Sequence, residues 1–310
     1  MVNYTNKYNF LNTIHKLQRF VFQLFSYSIL QLFSYSIIQL FVFSSCERED
    51  YTTESGETKL VVEGWMDEGD VARVLLSHSV PISELVDSSN FLKYAIRSAL
   101  VIVSDDTDSD TLRLTSASQY LPPFLYVGEK IIGKTDGTYK LTIKYLSRTL
   151  TAETTIPPSV PINNVQYIHQ NPADTTGNLT IEFTHPGDRH SYYQVATMID
   201  GHDKVFVPCL YGNFNSQNFS SPDVQIKLIR GISIFPKTNL DLSFTDGDRI
   251  FVRLRTMPKE GFDFWNLWQN EITNAQNIIF PANKSLKSNI DGGIGIWCGY
   301  GQNTVRITAR

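Results

Sequence analysis

The sequence lacks the spaced motifs by which common catalytic sites are identified. It contains no G-x-S-x-G nucleophile elbow and no H-E-x-x-H pair, and its C-terminal glycines do not fit G-x-G-x-x-G. No serine or cysteine has a locally recognisable histidine partner. We therefore predict no catalytic residue and no cofactor, and a protein that is not an enzyme.

Basic residues are too few for a nucleic-acid partner. The chain holds 27 Lys and Arg against 31 Asp and Glu, a net charge of −4 at pH 7. Lys7, Lys16 and Arg19 lie in residues 1–45, a segment without acidic residues, so the remainder is more acidic than the whole. Because phosphates demand a basic face, nucleic acid is excluded as a partner.

Cysteine is scarce, with only Cys46, Cys209 and Cys298 in 310 residues. In an oxidising compartment the last two could pair, and two free thiols are the alternative, because spacing alone does not fix the Cα separation. Aromatic residues, in contrast, are abundant. The chain has 19 Phe and 15 Tyr within a 12% aromatic fraction, and this composition favours strands.

The N-terminal segment is typical of a secretory signal. Residues 20–45 carry no charge, basic residues precede them, and Ser44-Ser45-Cys46 follows, which resembles a bacterial lipobox. We predict a lipoprotein signal peptide over 1–45 and lipidation of Cys46. One alternative is a transmembrane helix, although seven Ser and Gln interrupt the apolar run. The other alternative is that Cys46 is merely a spare thiol.

Residues 46–57 form a predicted acidic tether that begins at the lipidated cysteine. The acids Glu47, Glu49 and Asp50 resemble the export signal of surface lipoproteins, and an ordinary solvated tether is the alternative. Together these features predict a lipid anchor in the outer membrane and exposure at the cell surface.

The body has the period-two alternation of short strands separated by turn residues. We predict a mainly β fold with two tandem antiparallel β-sandwich domains of the immunoglobulin or fibronectin type. Prolines at 157, 158 and 161 mark the boundary between residues 58–157 and 158–310. The predicted strands cover 59–65, 71–76, 99–103, 111–114, 138–145, 149–156, 163–168, 179–183, 191–198, 224–229, 240–244 and 249–254.

One segment of the second domain has helical rather than strand spacing. Phe262, Trp265, Trp268 and Ile272 follow spacings of three, three and four, which predicts a helix near residues 259–275. Its tryptophans either pack on a sheet or form a sugar-stacking platform. We take Trp265, Trp268 and Trp297 as the candidate ligand-binding residues, with Trp65 as a further stacking candidate.

No metal site is predicted. The histidines at 185, 190 and 202 lack ligand spacing and are interpreted as loop surface residues. The acidic run at 106–110 resembles the start of a calcium loop, but Thr111 stands where the sharp turn needs glycine. We interpret this run as a solvated hairpin turn. The glycines after residue 291 are interpreted as points of tight turning and close strand approach.

Six short segments follow one another along the chain: Ser44-Ser45-Cys46, Leu60-Val61-Val62-Glu63-Gly64-Trp65, Gly137-Thr138-Tyr139-Lys140-Leu141, Thr151-Ala152-Glu153-Thr154-Thr155-Ile156-Pro157, Ser191-Tyr192-Tyr193 and Ser288-Asn289-Ile290-Asp291-Gly292-Gly293-Ile294-Gly295. In this order they resemble a Bacteroidetes lipoprotein family filed as domain of unknown function 4249. Genes of this family often lie beside those of TonB-dependent outer-membrane receptors. The family supplies no catalytic residues to transfer.

Two hypotheses of different classes follow from the resemblance and the predicted anchor. In the first, the protein is a non-enzymatic accessory to a TonB-dependent receptor that helps to capture or import a ligand. In the second, it is a free-standing adhesin or glycan-binding lipoprotein that uses its tryptophans as stacking platforms. Co-purification with a barrel protein would favour the first.

Overall fold

The computed structural model of the chain describes residues 58–80, 91–171, 173–232, 242–274 and 287–310. Within these ranges the fold is mainly β with one α-helix, as the sequence predicts. The strands are β1 (Leu60–Asp67), β2 (Val71–His78), β3 (Leu100–Ser104), β4 (Ser109–Thr111), β5 (Arg113–Ser116), β6 (Phe124–Ile132), β7 (Thr138–Tyr145), β8 (Arg148–Thr155), β9 (Ile162–His169), β10 (Thr176–Thr184), β11 (Tyr192–Ile199), β12 (Val207–Asn215), β13 (Asp223–Leu228), β14 (Phe244–Thr245), β15 (Arg249–Met257) and β16 (Ile294–Thr308). Helix α1 is Lys259–Asn274, and Phe91–Tyr94 and Ser216–Asn218 are short 3-10 helices.

The strands form three sheets, the largest of which contains strands from both halves of the chain. This shared sheet has eight strands in the order β12-β11-β15-β16-β1-β2-β6-β5. The N-terminal small sheet has the order β4-β3-β7-β8, and the C-terminal small sheet contains β13, β10, β14 and β9. Two separate hydrophobic cores are formed, one with side chains from each small sheet and both with side chains from the shared sheet.

The shared sheet turns one face towards the two cores, because apolar side chains recur at every second position of its strands. In β1, Val62 and Met66 are fully buried in the N-terminal core, with Gly64 between them. The intervening residues Glu63 and Trp65 are only partly buried. Since successive side chains of a strand point to opposite faces, the second set lies on the face away from the cores. We call this the outer face.

Strand β16 joins the two halves of the shared sheet. Its first half runs parallel to β1, from the pair Val61–Ile294 to the pair Asp67–Tyr300. Its second half runs antiparallel to β15, ending at the pair Arg249–Thr308. The parallel pairing departs from the all-antiparallel prediction. It arises because the last strand of the chain returns beside the first strand of the body.

The C-terminal glycines serve close strand approach, as the sequence predicts. Gly295 has a φ of +127°, and a Cβ at this position would collide with the carbonyl oxygen of Val62 on the paired strand. Only glycine accommodates both the backbone angle and the contact. The first half of β16 therefore reaches β1 only because position 295 has no side chain.

The predicted domain boundary lies in the connection between β8 and β9. Thr256 Oγ1, on β15, donates a hydrogen bond to the carbonyl oxygen of Pro158 at 2.8 Å. The connection is thus attached to the shared sheet, and Glu57–Arg310 form one compact unit. Each predicted domain contributes one small sheet and one core, and both contribute strands to the shared sheet.

Helix α1 packs on the outer face of the shared sheet. Among the helix side chains that the structure describes, up to residue 269, Phe264 is the most buried large one, and it joins Met257, Cys298 and Tyr300 in a third apolar cluster. A Cβ at Gly261 would collide with Cys298 Sγ, so the absence of a side chain at this position lets the helix lie against β16. The helix agrees with the predicted span of 259–275.

Candidate ligand-binding face

A group of charged residues lies on the outer face beside α1, contributed by β1 and β15. Asp67 pairs with Tyr300 in register, and Arg255 pairs with Gln302 on the other side of β16. Because Tyr300 and Gln302 are two residues apart, all four side chains lie on the same face. The topology thus brings residues that are 188 positions apart in the chain into one cluster.

Arg255 and Asp67 form a buried ion pair at the centre of this cluster. Arg255 Nη2 donates to Asp67 Oδ2 at 3.2 Å and lies 3.1 Å from Oδ1. The guanidinium lies over the ring of Tyr300, 4.4 Å from its centroid. Asp67 is 3% exposed, so its carboxylate depends on this arginine for compensation.

Arg253 is a second cation close to the same carboxylate. Its Nη1 lies 4.0 Å from Asp67 Oδ2, and its guanidinium lies over the ring of Phe206 at 3.7 Å. Burial, followed by the like charge of Arg255, lowers the pKa of Arg253 to about 10, so it stays protonated at neutral pH. Two arginines therefore share one buried carboxylate, which leaves an excess of positive charge.

Three buried polar atoms of the cluster have no hydrogen-bond partner in the described part of the chain. They are Oδ1 of Asp67, Nε of Arg255 and Oε1 of Gln302. Most buried polar atoms in folded proteins are paired, because an unpaired group loses its hydration without compensation. A free donor and a free acceptor on paired residues are thus suited to a ligand that carries both functions.

Glu63 adds a titratable group to the outer face. Burial raises its pKa from the ordinary value of 4.5 to about 7, although the charge of Arg255 opposes this shift. The carboxyl is therefore partly protonated near neutral pH.

We expect Glu63 to make the stability of the protein depend on pH. A raised carboxyl pKa means that the folded state binds the proton more tightly than the unfolded state. The contribution of Glu63 to the free energy of unfolding is complete below about pH 4.5 and is lost as the pH rises towards 7. The free energy of unfolding then falls by at most about 1.4 kcal/mol per pH unit. Urea unfolding at several pH values should show this decline in the native protein and a weaker one in Glu63→Gln.

The matched control is Glu129→Gln, which removes an exposed carboxylate of β6 that lies 3.3 Å from Arg113. This variant should keep the pH dependence of the native protein. An unchanged decline in Glu63→Gln would contradict the assignment.

Aromatic side chains surround the charged cluster. The ring centroids of Trp65 and Tyr120 are 5.6 Å apart, and Trp265 Nε1 donates to Tyr300 Oη at 2.7 Å. Trp268 contacts Trp265 edge to face with centroids 5.3 Å apart. The side chains of Trp65, Trp265 and Trp268 are partly exposed. These predicted stacking residues thus lie beside the cluster.

Trp297 lies on the opposite side of β16 from these residues. It is fully buried in the N-terminal core, where its Nε1 donates to the carbonyl oxygen of Tyr139 at 2.9 Å. With no exposed ring face, Trp297 offers no surface on which a ligand could stack. Its role in this structure is to fill the core.

A proline-lined cleft of about 270 Å³ lies near the N-terminal end of α1. Its basic side chains are already engaged. Lys259 Nζ donates to Asp263 at 2.6 Å, Arg189 lies 3.8 Å from Asp188, and His190 Nε2 lies 2.7 Å from the side-chain nitrogen of Gln217. We favour the charged cluster over this cleft as the candidate site because the cluster holds excess charge and unpartnered polar atoms.

The family model described as "Domain of unknown function (DUF4249)" matches residues 48–306. The chain belongs to this family. The DUF4249 match covers all of the outer-face residues described above and confirms the predicted membership of this family of unknown function.

Comparisons with other proteins add no function to the DUF4249 assignment. No curated protein matches the chain in sequence. A solved chain described as "Cytokine receptor complex - Crystal form 1A" is 10% identical, with 80% of this chain and 97% of that chain covered. The TM-score between the two chains is 0.25.

The remaining predicted site residues have structural roles in this DUF4249 chain. His185 was interpreted as a surface residue, and this is wrong. The residue is buried, and its Nδ1 lies 2.7 Å from Tyr193 Oη beside the ring of Phe219. In the ranges that the structure covers, no group of three or more His, Cys, Asp and Glu could hold a metal ion.

Ser109 and Asp110 lie in β4, and the rest of the acidic run forms the predicted hairpin turn. It connects β3 to β4, and Asp105 Oδ1 accepts hydrogen bonds from the backbone nitrogens of Thr107 and Asp108 at 2.8 Å. Asp110 faces inward, where its Oδ2 accepts a hydrogen bond from the backbone nitrogen of Glu129 at 2.7 Å. Both carboxylates are thus occupied by backbone donors.

The two cysteines of the body are free, so the alternative without a disulfide is the one found. Cys209 lies in the C-terminal core and Cys298 lies beneath α1. Burial raises the pKa of each thiol to about 12, which keeps both protonated and unreactive.

The predicted lipidation site, Cys46, the signal segment and most of the tether lie outside the described residues. Within the described ranges, no helix combines the length and the apolar character needed to cross a bilayer.

The charged members of the cluster are not among the site residues predicted from the sequence. Glu63 and Asp67 flank Trp65 at period two in β1, and Arg253 and Arg255 repeat that spacing in β15. Charged residues at alternate strand positions usually mark a solvated face, so this signal alone would not have identified them. Only the register across β16 shows that they meet.

Proposed function

We propose that the protein is a lipid-anchored lipoprotein of the bacterial outer membrane that captures a ligand on its outer face for a TonB-dependent receptor. The observation that carries the proposal is the charged and aromatic cluster around Asp67, Arg253 and Arg255, with its unpartnered donor and acceptor. Such a surface recognises a ligand without needing a nucleophile or a metal, and the proposal is accordingly a binding protein rather than an enzyme.

The position of the cluster within the body supports this proposal. The described body begins at residue 58, directly before β1, and Asp67 lies at the opposite end of that strand. A strand of this length spans roughly 23 Å at 3.3 Å per residue. A tether that ends at residue 57 therefore joins the body at a point distant from the cluster.

The sequence supports the anchor and the partner. Ser44 and Ser45 offer the small side chains that a signal peptidase requires before Cys46, and the acidic residues 47–50 follow directly. The family that the chain resembles is often encoded beside TonB-dependent receptors. Capture at the membrane surface followed by transfer to such a receptor is a function that fits both features.

We expect Cys46→Ala to abolish processing and anchoring. Mass spectrometry of the native protein should show an acylated Cys46 at the mature N-terminus, whereas the variant should accumulate as unprocessed precursor. The native protein, purified from detergent-solubilised outer membrane, should carry a TonB-dependent receptor with it.

Ser44→Ala is the matched control, because it keeps a small side chain before the cut and should be processed normally. Normal processing of Cys46→Ala would contradict the anchor. Purification of the anchored protein without a receptor would instead favour the free-standing glycan-binding alternative, for which the partly exposed rings of Trp65, Trp265 and Trp268 are the supporting observation.

A further inference from the structure

We propose that the outer face binds an acidic saccharide, a sugar ring that carries a carboxylate next to a hydroxyl group. This inference rests on the proposed function and specifies the class of ligand that the cluster takes. In it, Arg253 and Arg255 bind the carboxylate, Gln302 accepts a hydrogen bond from the hydroxyl, and the rings of Trp65 and Tyr120 contact the sugar.

The balance of charge favours an anionic ligand. Arg253 and Arg255 have side chains that are 20% and 15% exposed, and the carboxylate they share, on Asp67, is 4% exposed. Arg73 adds no free charge, because it donates to both carboxylate oxygens of Asp70, at 2.6 and 3.1 Å. Below about pH 7, where Glu63 is mostly protonated, one positive charge remains uncompensated at a partly buried place, where it attracts an anion more strongly than in water.

The three unpartnered atoms specify what accompanies the anion. Nε of Arg255 is a donor on the edge of a guanidinium, which suits a carboxylate oxygen. Oε1 of Gln302, on the paired residue of β16, and Oδ1 of Asp67 are acceptors and need donors from the ligand. A carboxylate accompanied by hydroxyl groups would satisfy all three atoms. A simple anion such as sulfate would leave both acceptors unpaired.

The neighbouring aromatic rings favour a sugar over an extended peptide. Trp65 packs against the cluster that contains Tyr300, and its ring centroid lies 5.6 Å from that of Tyr120. Tyr120 lies within electrostatic reach of Glu63, Asp67 and Arg255. The two ring planes are inclined by 50°, so one ring at a time provides a flat apolar surface for the C–H face of a pyranose.

Isothermal titration calorimetry of the full-length protein in detergent tests this inference with three probes. They are trigalacturonate, its fully methyl-esterified form and the dipeptide Ala-Ala with a free C-terminal carboxylate. We expect trigalacturonate to bind, the neutral ester to bind at least about tenfold more weakly, and added salt to weaken the binding of the acid. Equal binding of acid and ester, tighter binding of the dipeptide, or no binding of trigalacturonate would overturn the inference.

Two variants locate the binding. Arg253→Gln should weaken trigalacturonate binding by about tenfold or more, and Gln302→Leu should weaken it while leaving the preference for the acid over the ester intact. Arg249→Gln is the matched control, because Arg249 lies on the same strand and face but pairs with Asp200 at 2.8 Å. Unfolding midpoints of all three variants show whether they remain folded. Folded Arg253→Gln and Gln302→Leu variants with native affinity would overturn the inference.

The experiments distinguish a failure of the proposed ligand class from a failure of the proposed receptor partnership. A receptor that co-purifies with a protein that fails to bind trigalacturonate would reject the ligand class and leave the receptor partnership standing. Acid-selective binding lost in Arg253→Gln, in a protein that purifies without a receptor, would support the ligand class and reject the partnership.

Discussion

Replacing Trp297 by alanine is expected to destabilise the protein by about 3–5 kcal/mol, the usual cost of truncating a large aromatic side chain in a core. The indole is fully buried between the shared sheet and the N-terminal small sheet. Its removal leaves a cavity and also leaves the carbonyl oxygen of Tyr139 without the donor that now lies 2.9 Å away. Urea unfolding of the native and variant proteins measures the difference.

The matched control is Trp268→Ala, which truncates a partly exposed tryptophan of α1. It should cost much less than Trp297→Ala, because solvent already covers part of the ring. Equal losses in the two variants would contradict the assignment of Trp297 to the core and would return it to the set of candidate ligand-binding residues.

Replacing Asp67 by alanine is expected to cost about 3–5 kcal/mol, because it leaves the cation of Arg255 buried without its carboxylate partner. The control is Asp200→Ala, which breaks the ion pair with Arg249. The side chains of that pair are 40% and 61% exposed, so its loss should cost about 0–1 kcal/mol. Urea unfolding of both variants gives the comparison.

A double-mutant cycle separates the ion pair from other effects of the substitution. Asp67→Asn combined with Arg255→Met removes both charges and should be less destabilised than the sum of the two single variants. Additive losses would show that Asp67 stabilises the fold independently of Arg255. The same cycle tests whether the pair is retained for binding, because the double variant should lose the ligand even where stability is regained.

Elements with strong local patterns could be predicted from the sequence. The alternation in β7 and β8 and the helical spacing of Trp265 and Trp268 each specify one type of element, because the period of the apolar residues is a local property. The turn at residues 105–108 is local as well, since Asp105 hydrogen-bonds to the backbone two and three residues ahead.

Three strands were missed, and each contains residues that weaken the local pattern. Gly128 lies within β6, Pro208 and Gly212 lie within β12, and the first half of β16 contains several glycines. Glycine and proline have low strand propensity, so the alternation is interrupted where the tertiary structure still imposes a strand. In β16 the glycines are required by the contact with β1, a contact that the local sequence does not reveal.

The candidate site was beyond prediction for a related reason. Trp65 could be identified as a candidate because it is an aromatic residue in a strand, but its partners come from the other end of the chain. The pairing of β1 with β16 brings Asp67 beside Tyr300, and the pairing of β16 with β15 adds Arg255. A site assembled by two long-range strand pairings leaves no spacing that a single sequence can show.

The central claim is that the outer face of the shared sheet binds the ligand, and a hydrogen–deuterium exchange footprint tests it most directly. Amide exchange of the full-length protein would be compared with and without saturating trigalacturonate, and with the neutral ester as a reference. We predict added protection in β1, β15 and the 300–304 segment of β16, and reduced protection in the Arg253→Gln variant at the same concentration of trigalacturonate. Protection confined to the cleft residues 157–160 and 189–192, or no protection at all, would contradict the account.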